Sequence, residues 1–346
     1  MKKILLLCAF LALSSCASQN MQMQNTDVAS ETQKLKVTSS IVPISSIINT
    51  IGWDYVEVEN IVPAGVSPHG FDLSAKQMAS VQQSDVVFMI GLESIDRFLE
   101  NAIVDKNHIE LAEGIELLEA TAHEHHDDEH KSEEIEHEDH HDEHQENHSN
   151  QEHEHNNEDH HDETDKHENH EDKHDHDQDP HVWLWKDNVI TIAQKIESEL
   201  SRLVPEQQEY FAQNTSNFIE VLTDIYSDFS TEVANKTPSE FIVFHDAYNY
   251  MFKSIGLDQD NKLVFSENVM HELGTSHMAE LIDEVQMHWV KYMFREPQFQ
   301  NKNLESFASQ YSLSLDVLDP LGTDSWSGWY IANLQANLKN IKKVYE

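Results

Sequence analysis

Short β-rich runs alternate with helix-period segments along most of the chain. Before residue 120 the runs are LKVTSSIV (35–42), VEVENIV (56–62), DVVFMIG (85–91) and HIELA (108–112). After residue 180 they are EFIVFHD (240–246), KLVFSEN (262–268), WVKYMF (289–294) and SLSLDVL (312–318), with amphipathic stretches such as 276–288 and 326–346 between or after them. This alternation in both halves predicts an α/β fold of two similar lobes, each with a mostly parallel four-stranded sheet flanked by helices. Between the halves, the helix-like NVITIAQKIESELSRLV (188–204) is followed by Pro205, well placed to open a helix. Phe211, Phe218, Leu222, Ile225, Phe229 and Val233 then recur at the spacing of one helix face. The pattern predicts one long, rigid helix over 205–235, roughly 45 Å at about 1.5 Å per residue, joining the lobes. Two shorter helices inside one lobe are the competing arrangement; the absence of Gly from the stretch favours one.

Two segments depart from this pattern. Residues 1–16, MKKILLLCAFLALSSC, carry two lysines, ten apolar residues from Ile4 to Leu13 and two small residues before Cys16. This reads as an export signal, too short to span a bilayer. Leu13-Ser14-Ser15-Cys16 resembles the lipobox of bacterial lipoproteins, which implies cleavage before Cys16, acylation of that cysteine and a membrane anchor; an ordinary cleaved signal peptide is the other reading. Cys8 would leave with the leader and Cys16 would carry lipid, so any metal ligands must be His, Asp or Glu. The second segment, 123–179, holds 17 of the 24 His, 25 Asp+Glu and three Lys. Its one large apolar residue, Ile135, cannot offset the entropy of ordering it, which predicts disorder. The expected organisation is a signal peptide (1–15), a tether (16–34), an N-terminal lobe (35–204) with a disordered insertion (121–179), the linker helix (205–235) and a C-terminal lobe (236–346).

Charge narrows the partners. The chain carries -42 formally, about half of it in the insertion, and has only three arginines, Arg97, Arg202 and Arg295. That excludes a clustered basic surface for nucleic acid and points to cations or neutral molecules as partners. The insertion offers His123, His125, His126, His130, His137, His140, His141, His144, His148, His153, His155, His160, His161, His167, His170, His174 and His176 beside carboxylates. These are expected to bind divalent ions weakly and interchangeably, concentrating them near a fixed site; a dispensable solubilising loop is the plain alternative.

Ligands of parallel α/β sheets bind outside the carboxyl ends of the strands. His69 follows VEVENIV, His245 follows EFIVF, Asp319 follows SLSLDVL, and His181 stands in DPHVWLW just after the insertion. Three imidazoles and one carboxylate form a set suited to tetrahedral Zn2+ rather than to Ca2+ or Mg2+. The spacing alone is weak, since no two of these residues share a helical turn.

PAGVSPHGFDLSAKQM (63–78), DPHVWLW (179–185), FHDAYNYMF (244–252), FREPQF (294–299) and LDPLGT (318–323) together resemble, in order, the motifs of the zinc/manganese solute-binding proteins of ABC transporters. The resemblance runs from about Leu35 to the C-terminus. It implies two α/β lobes joined by a long helix, Zn2+ bound as cargo between them, delivery to an ABC permease, an extracytoplasmic place and a monomeric protein that is not an enzyme. His69, His181 and His245 match the three imidazole ligands, and histidine rather than glutamate at the third position points to zinc over manganese. Asp319 matches the carboxylate position, as a ligand or as an acceptor that orients an imidazole, with water as another fourth ligand. The sequence departs from the family pattern at Ala64-Gly65 and in HELGTSH (271–277), where His271 and His277 read as surface histidines, a lesser metal contact being the alternative. His108 and His288 read as strand-edge or core positions. Trp183, Trp185, Trp326 and Trp329 either wall the cleft or serve as core aromatics. A zinc hydrolase, a zinc store and an adhesin are the competing functions; the hydrolase lacks a recognisable general base beside the ligands.

Overall fold

A computed structural model describes residues 34–120, 178–266, 274–299 and 302–346. The export signal, Cys16, the histidines of the insertion and His271 lie outside the described residues. All eight β-rich runs form strands: β1 Leu35–Ser39, β2 Val56–Asn60, β3 Val86–Met89, β4 His108–Glu110, β5 Phe241–Val243, β6 Lys262–Val264, β7 Tyr292–Arg295 and β8 Ser314–Val317. They make two sheets, ordered β2-β1-β3-β4 and β6-β5-β7-β8, and every pairing is parallel. The two lobes therefore share one strand order.

The helices are α1 Val42–Gly52, α2 Ala75–Gln83, α3 Glu93–Asp96, α4 Glu100–Ile103, α5 Lys186–Leu203, α6 Gln208–Val233, α7 Asn249–Ile255, α8 Thr275–His288, α9 Lys302–Gln310 and α10 Trp329–Ile341. Local chemistry accounts for several of the boundaries. Pro43 sits in the first turn of α1. A reciprocal capping box between Ser74 and Gln77 starts α2. Gly256, in the left-handed conformation, ends α7.

The long helix is present. A 3-10 turn at Pro205–Gln207 leads into α6, whose 26 residues span about 39 Å at ~1.5 Å each. Its inward face is Phe211, Thr215, Phe218, Leu222, Tyr226, Phe229 and Val233. Ile225, expected on that face, is only partly buried, and Tyr226 takes its place. The helix packs along α5 and α1 for much of its length, so it is a wall of the core as well as a connection.

Burial falls into three layers. The largest apolar cluster is continuous between the sheets and draws on both: Val37, Val86 and Phe88 from the first, Phe241, Val243 and Phe294 from the second, with α1, α5, α6, α7 and α10 between. Two smaller clusters lie elsewhere. One holds Val81, Val87, Met89 and Leu99 of the first lobe. The other holds Ile242, Phe265, Leu281, Met293 and Phe307 of the second. The C-terminal amphipathic stretch becomes helical at Trp329, three residues later than its pattern begins, because Gly328 takes a left-handed φ of 86°. Among the described residues no helix is long and apolar enough to cross a membrane.

Candidate metal centre

The carboxyl ends of the two sheets converge on three imidazoles. His69 comes from the loop after β2, His181 from the turn before α5, and His245 lies two residues beyond β5. The ring centroids are 5.6 Å (His69–His181), 5.9 Å (His69–His245) and 5.4 Å (His181–His245) apart, at 63° to 85° to one another. One nitrogen from each lies within 4.8 Å of the others, the spacing of a metal-ligand set.

Two rings are held by buried carboxylates. Asp179 Oδ1 sits 2.8 Å from His181 Nδ1 and also accepts the His181 backbone N–H at 2.9 Å. Asp179 is itself fixed: Oδ2 accepts from Asn249 Nδ2, and its carbonyl from the Tyr250 hydroxyl. Glu296, the first residue beyond β7, places Oε1 2.6 Å from His245 Nδ1. Because β5 and β7 are adjacent and lie where the strand order reverses, His245 and Glu296 occupy the switch point of the second sheet. With Nδ1 bound to a carboxylate, each ring turns Nε2 toward the centre as a lone-pair donor. His245 Nε2 is buried and has no hydrogen-bond partner among the described residues.

The electrostatics separate the rings. Burial, then the neighbouring His181 and His245, push His69 down to about 3 against a hydrogen bond to the Ser94 backbone, so it is neutral at any physiological pH. Burial opposes charge on His245 as well, but Glu296, together with Asp246 and Asp179, outweighs it and holds the imidazole above its ordinary value. The pocket between the rings is lined by Pro68, Trp183, Glu296, Phe299, Pro320 and Leu321 as well as the histidines, and its space, about 10 Å³, is that of a single water-sized sphere. An ion fits there; an organic ligand does not.

Asp319 is placed otherwise. It is buried, but it is not in the clustered ligand set. Its Oδ1 accepts from Gln298 Nε2 at 2.7 Å, Leu321 N at 3.1 Å and Gly322 N at 2.8 Å, which makes it the cap of its own turn rather than the partner of an imidazole. Its Oδ2 carries none of these bonds. Trp183 walls the pocket, with its ring 5.4 Å from His181. Trp185 lies under Lys253, Trp326 is 52% exposed, and Trp329 lines a separate apolar pocket beside α10. His277 is not a plain surface histidine: its Nε2 lies 3.0 and 3.2 Å from the Val264 and Phe265 carbonyls at the end of β6. His108 opens the edge strand β4, as expected. His288 does not fit its strand-edge or core reading; it ends α8 exposed, between Glu240 and Glu284, because the helix runs on to that residue before the chain turns into β7.

A family model described as "Zinc-uptake complex component A periplasmic" matches residues 37–344. The chain belongs to this family. It is 38% identical over 325 residues to the high-affinity zinc uptake system protein ZnuA of Haemophilus influenzae, covering 93% of this chain and 92% of that protein. It is 25% identical to the zinc-binding lipoprotein AdcA of Streptococcus pneumoniae over 99% of this chain and 61% of the longer relative. Among solved structures, a crystal structure of ZnuA superposes with a TM-score of 0.68 at 22% identity, covering 91% of this chain and all of the other, which bears out the two-lobed fold. The family is a substrate-binding component of transport, and zinc is its ligand.

Asp179 and Glu296 are the functional residues that the sequence reading did not single out. Both lie inside the motifs, in DPHVWLW and FREPQF, and an acid two residues before a candidate ligand histidine was a readable signal for the first.

Proposed function

We propose that His69, His181 and His245 capture Zn2+ between the lobes, with Asp319 or a water in the fourth position, and that the loaded protein delivers the ion to the permease of an ABC transporter. The observation that carries this is the set of three converging imidazoles, two of them aimed by buried carboxylates, around space for one ion. Charge supports it. Asp179 and Glu296 set two buried carboxylates behind the imidazoles, and a divalent cation held by the rings offsets their charge. Three nitrogen donors favour Zn2+ over Mn2+, for which oxygen-rich shells are usual. Competitive titration with Zn2+ and Mn2+ tests the reading. One tight zinc site lost in each of His69→Ala, His181→Ala and His245→Ala is expected, and a tight site that survives all three rejects it. Asp319→Ala separates the two fourth ligands, with a large loss of affinity if the carboxylate binds and a small one if water does.

The same reading covers the rest of the chain. Export followed by acylation of Cys16 would hold a monomer at a bacterial membrane, facing the permease; a mature protein whose mass shows any other N-terminus overturns the anchor. The histidines from His123 to His176 would gather ions for the cleft. If deleting 121–177 changes neither metal stoichiometry nor uptake at limiting zinc, the gathering role is wrong.

A further inference from the structure

We propose that Ser46, Asn49 and Thr50, on one face of α1, are positioning residues that latch the segment after β8 across the cleft and so set how long zinc stays bound; this rests on the three-histidine reading above. From Asp319 the chain leaves the second lobe and crosses to the first. Ser46 Oγ donates to the Trp326 carbonyl at 3.0 Å and accepts from Tyr330 N at 2.9 Å. Asn49 Nδ2 donates to the Ser325 carbonyl at 2.8 Å. Gly328 N donates to Thr50 Oγ1 at 3.0 Å, and that hydroxyl donates back to the Ser46 carbonyl at 2.8 Å. Ser46 is wholly buried, so water does not compete for its hydroxyl.

The other end of the segment is built into the metal pocket. Pro320 and Leu321 form part of its wall, and the Pro320 carbonyl accepts from Trp183 Nε1 at 2.7 Å. The Tyr330 hydroxyl donates to the Trp183 carbonyl at 2.7 Å, and Trp183 stands two residues beyond His181. The segment thus touches the ligand environment at one end and is tied to α1 at the other. The lobes share a continuous apolar core, so separating them exposes that core, whereas lifting this segment breaks three hydrogen bonds to α1 and loosens a fourth, from Tyr330 N at the start of α10. Gly322, at φ of 83°, lies between the wall residues and the tied ones, and Gly328, at 86°, ends the segment where α10 begins. Ser46, Asn49 and Thr50 touch no ligand; they act through the position of the wall.

The test is zinc release from the full chain into excess chelator by stopped flow, following the slow phase that His69→Ala abolishes. Ser46→Ala and Thr50→Val are expected to speed this phase about fivefold or more, the effect of losing one or two modest hydrogen bonds. Thr50→Ser, which keeps the hydroxyl, should release at the original rate. Melting of the metal-free Thr50 variants, where the site is only partly buried, should stay within about 2 °C of the original chain. Unchanged release in both Ser46→Ala and Thr50→Val, or a rise that Thr50→Ser shares, overturns the latch. Should Ser46→Ala fail to fold, Thr50→Val and Asn49→Ala decide it. A slow phase that survives His69→Ala defeats the three-histidine site instead.

Discussion

Glu296→Gln keeps the shape of the side chain and removes its charge. The wild-type carboxylate is 1% exposed and holds His245 Nδ1 at 2.6 Å. A hydrogen bond to a charged group contributes about 1.5–3 kcal/mol against about 0.5–1.5 for a neutral pair, so the exchange loses about 1–1.5 kcal/mol of orientation and basicity at the ring. At about 1.4 kcal/mol per decade, that weakens zinc binding roughly tenfold, the low end of the ~10–100-fold effect of such partners. The pH dependence gives a sharper test. In the metal-free protein Glu296 holds His245 above its ordinary value, so zinc must displace a proton once the pH falls into that range. In the variant burial lowers the ring and only the charges of Asp246 and Asp179 still raise it, so the proton competes at lower pH. The advantage of the wild type should therefore be largest near pH 8 and shrink toward pH 6. His69, at about 3, adds no competition across that window. The assay is chelator competition at pH 8, 7 and 6 on a chain in which a short linker replaces 121–177, a splice made feasible by the antiparallel bridge between Glu119 and Gln178. Equal affinities at pH 8, or an advantage that grows as the pH falls, would refute the role given to Glu296.

Asp96→Asn should stabilise the protein. Burial lifts this carboxyl to about 6 against the pull of Gly91 N, which donates to Oδ2 at 2.9 Å, and of the Ser40 hydroxyl and Ile90 backbone. Since the folded value lies above the unfolded one, the cost is absent below about pH 4, grows from pH 4 to 6 and reaches ~3 kcal/mol above that. Denaturant midpoints should show a gain of about 1–3 kcal/mol at pH 7.5 and none at pH 4; parallel pH profiles would sink the idea. Gly322→Ala should destabilise by about 1–3 kcal/mol in thermal melts, because φ is 83° and a Cβ would stand 2.4 Å from Trp329 Nε1. Phe211→Ala, which empties a fully buried site on α6, should cost about 3–5 kcal/mol; a loss under 1 would mean that the helix does not anchor the core.

The eight strands were legible because strands buried in parallel sheets read as β-branched and aromatic runs, and the long helix followed from Pro205 and six apolar positions, five of which α6 buries. The histidines were legible through strand ends and motif order. Glu296 was not, since its partner lies 51 positions away and only the β5–β7 pairing brings them together. Asp319 shows the opposite limit. A carboxylate at a strand end was read as a ligand or an imidazole's partner, yet the sequence D-P-L-G also specifies a turn in which that oxygen captures the amides two and three residues on. His288 was misjudged because the apolar run WVKYMF extends the apparent strand back to the helix end.

The apolar cluster that threads both sheets makes cooperativity a property of the whole folded part. Val37 and Phe241 belong to different lobes but to one cluster, and by their contacts Lys34–Glu346 form one unit. Melting should then be a single transition, with no plateau in which one lobe outlives the other. A fragment that ends after α6 would present the bare flank of α1 and α5 to water, and should aggregate rather than fold. The lobes repeat one strand order, but they are not interchangeable modules: a chimera that takes each from a different relative would have to match the shared core, whatever its metal ligands.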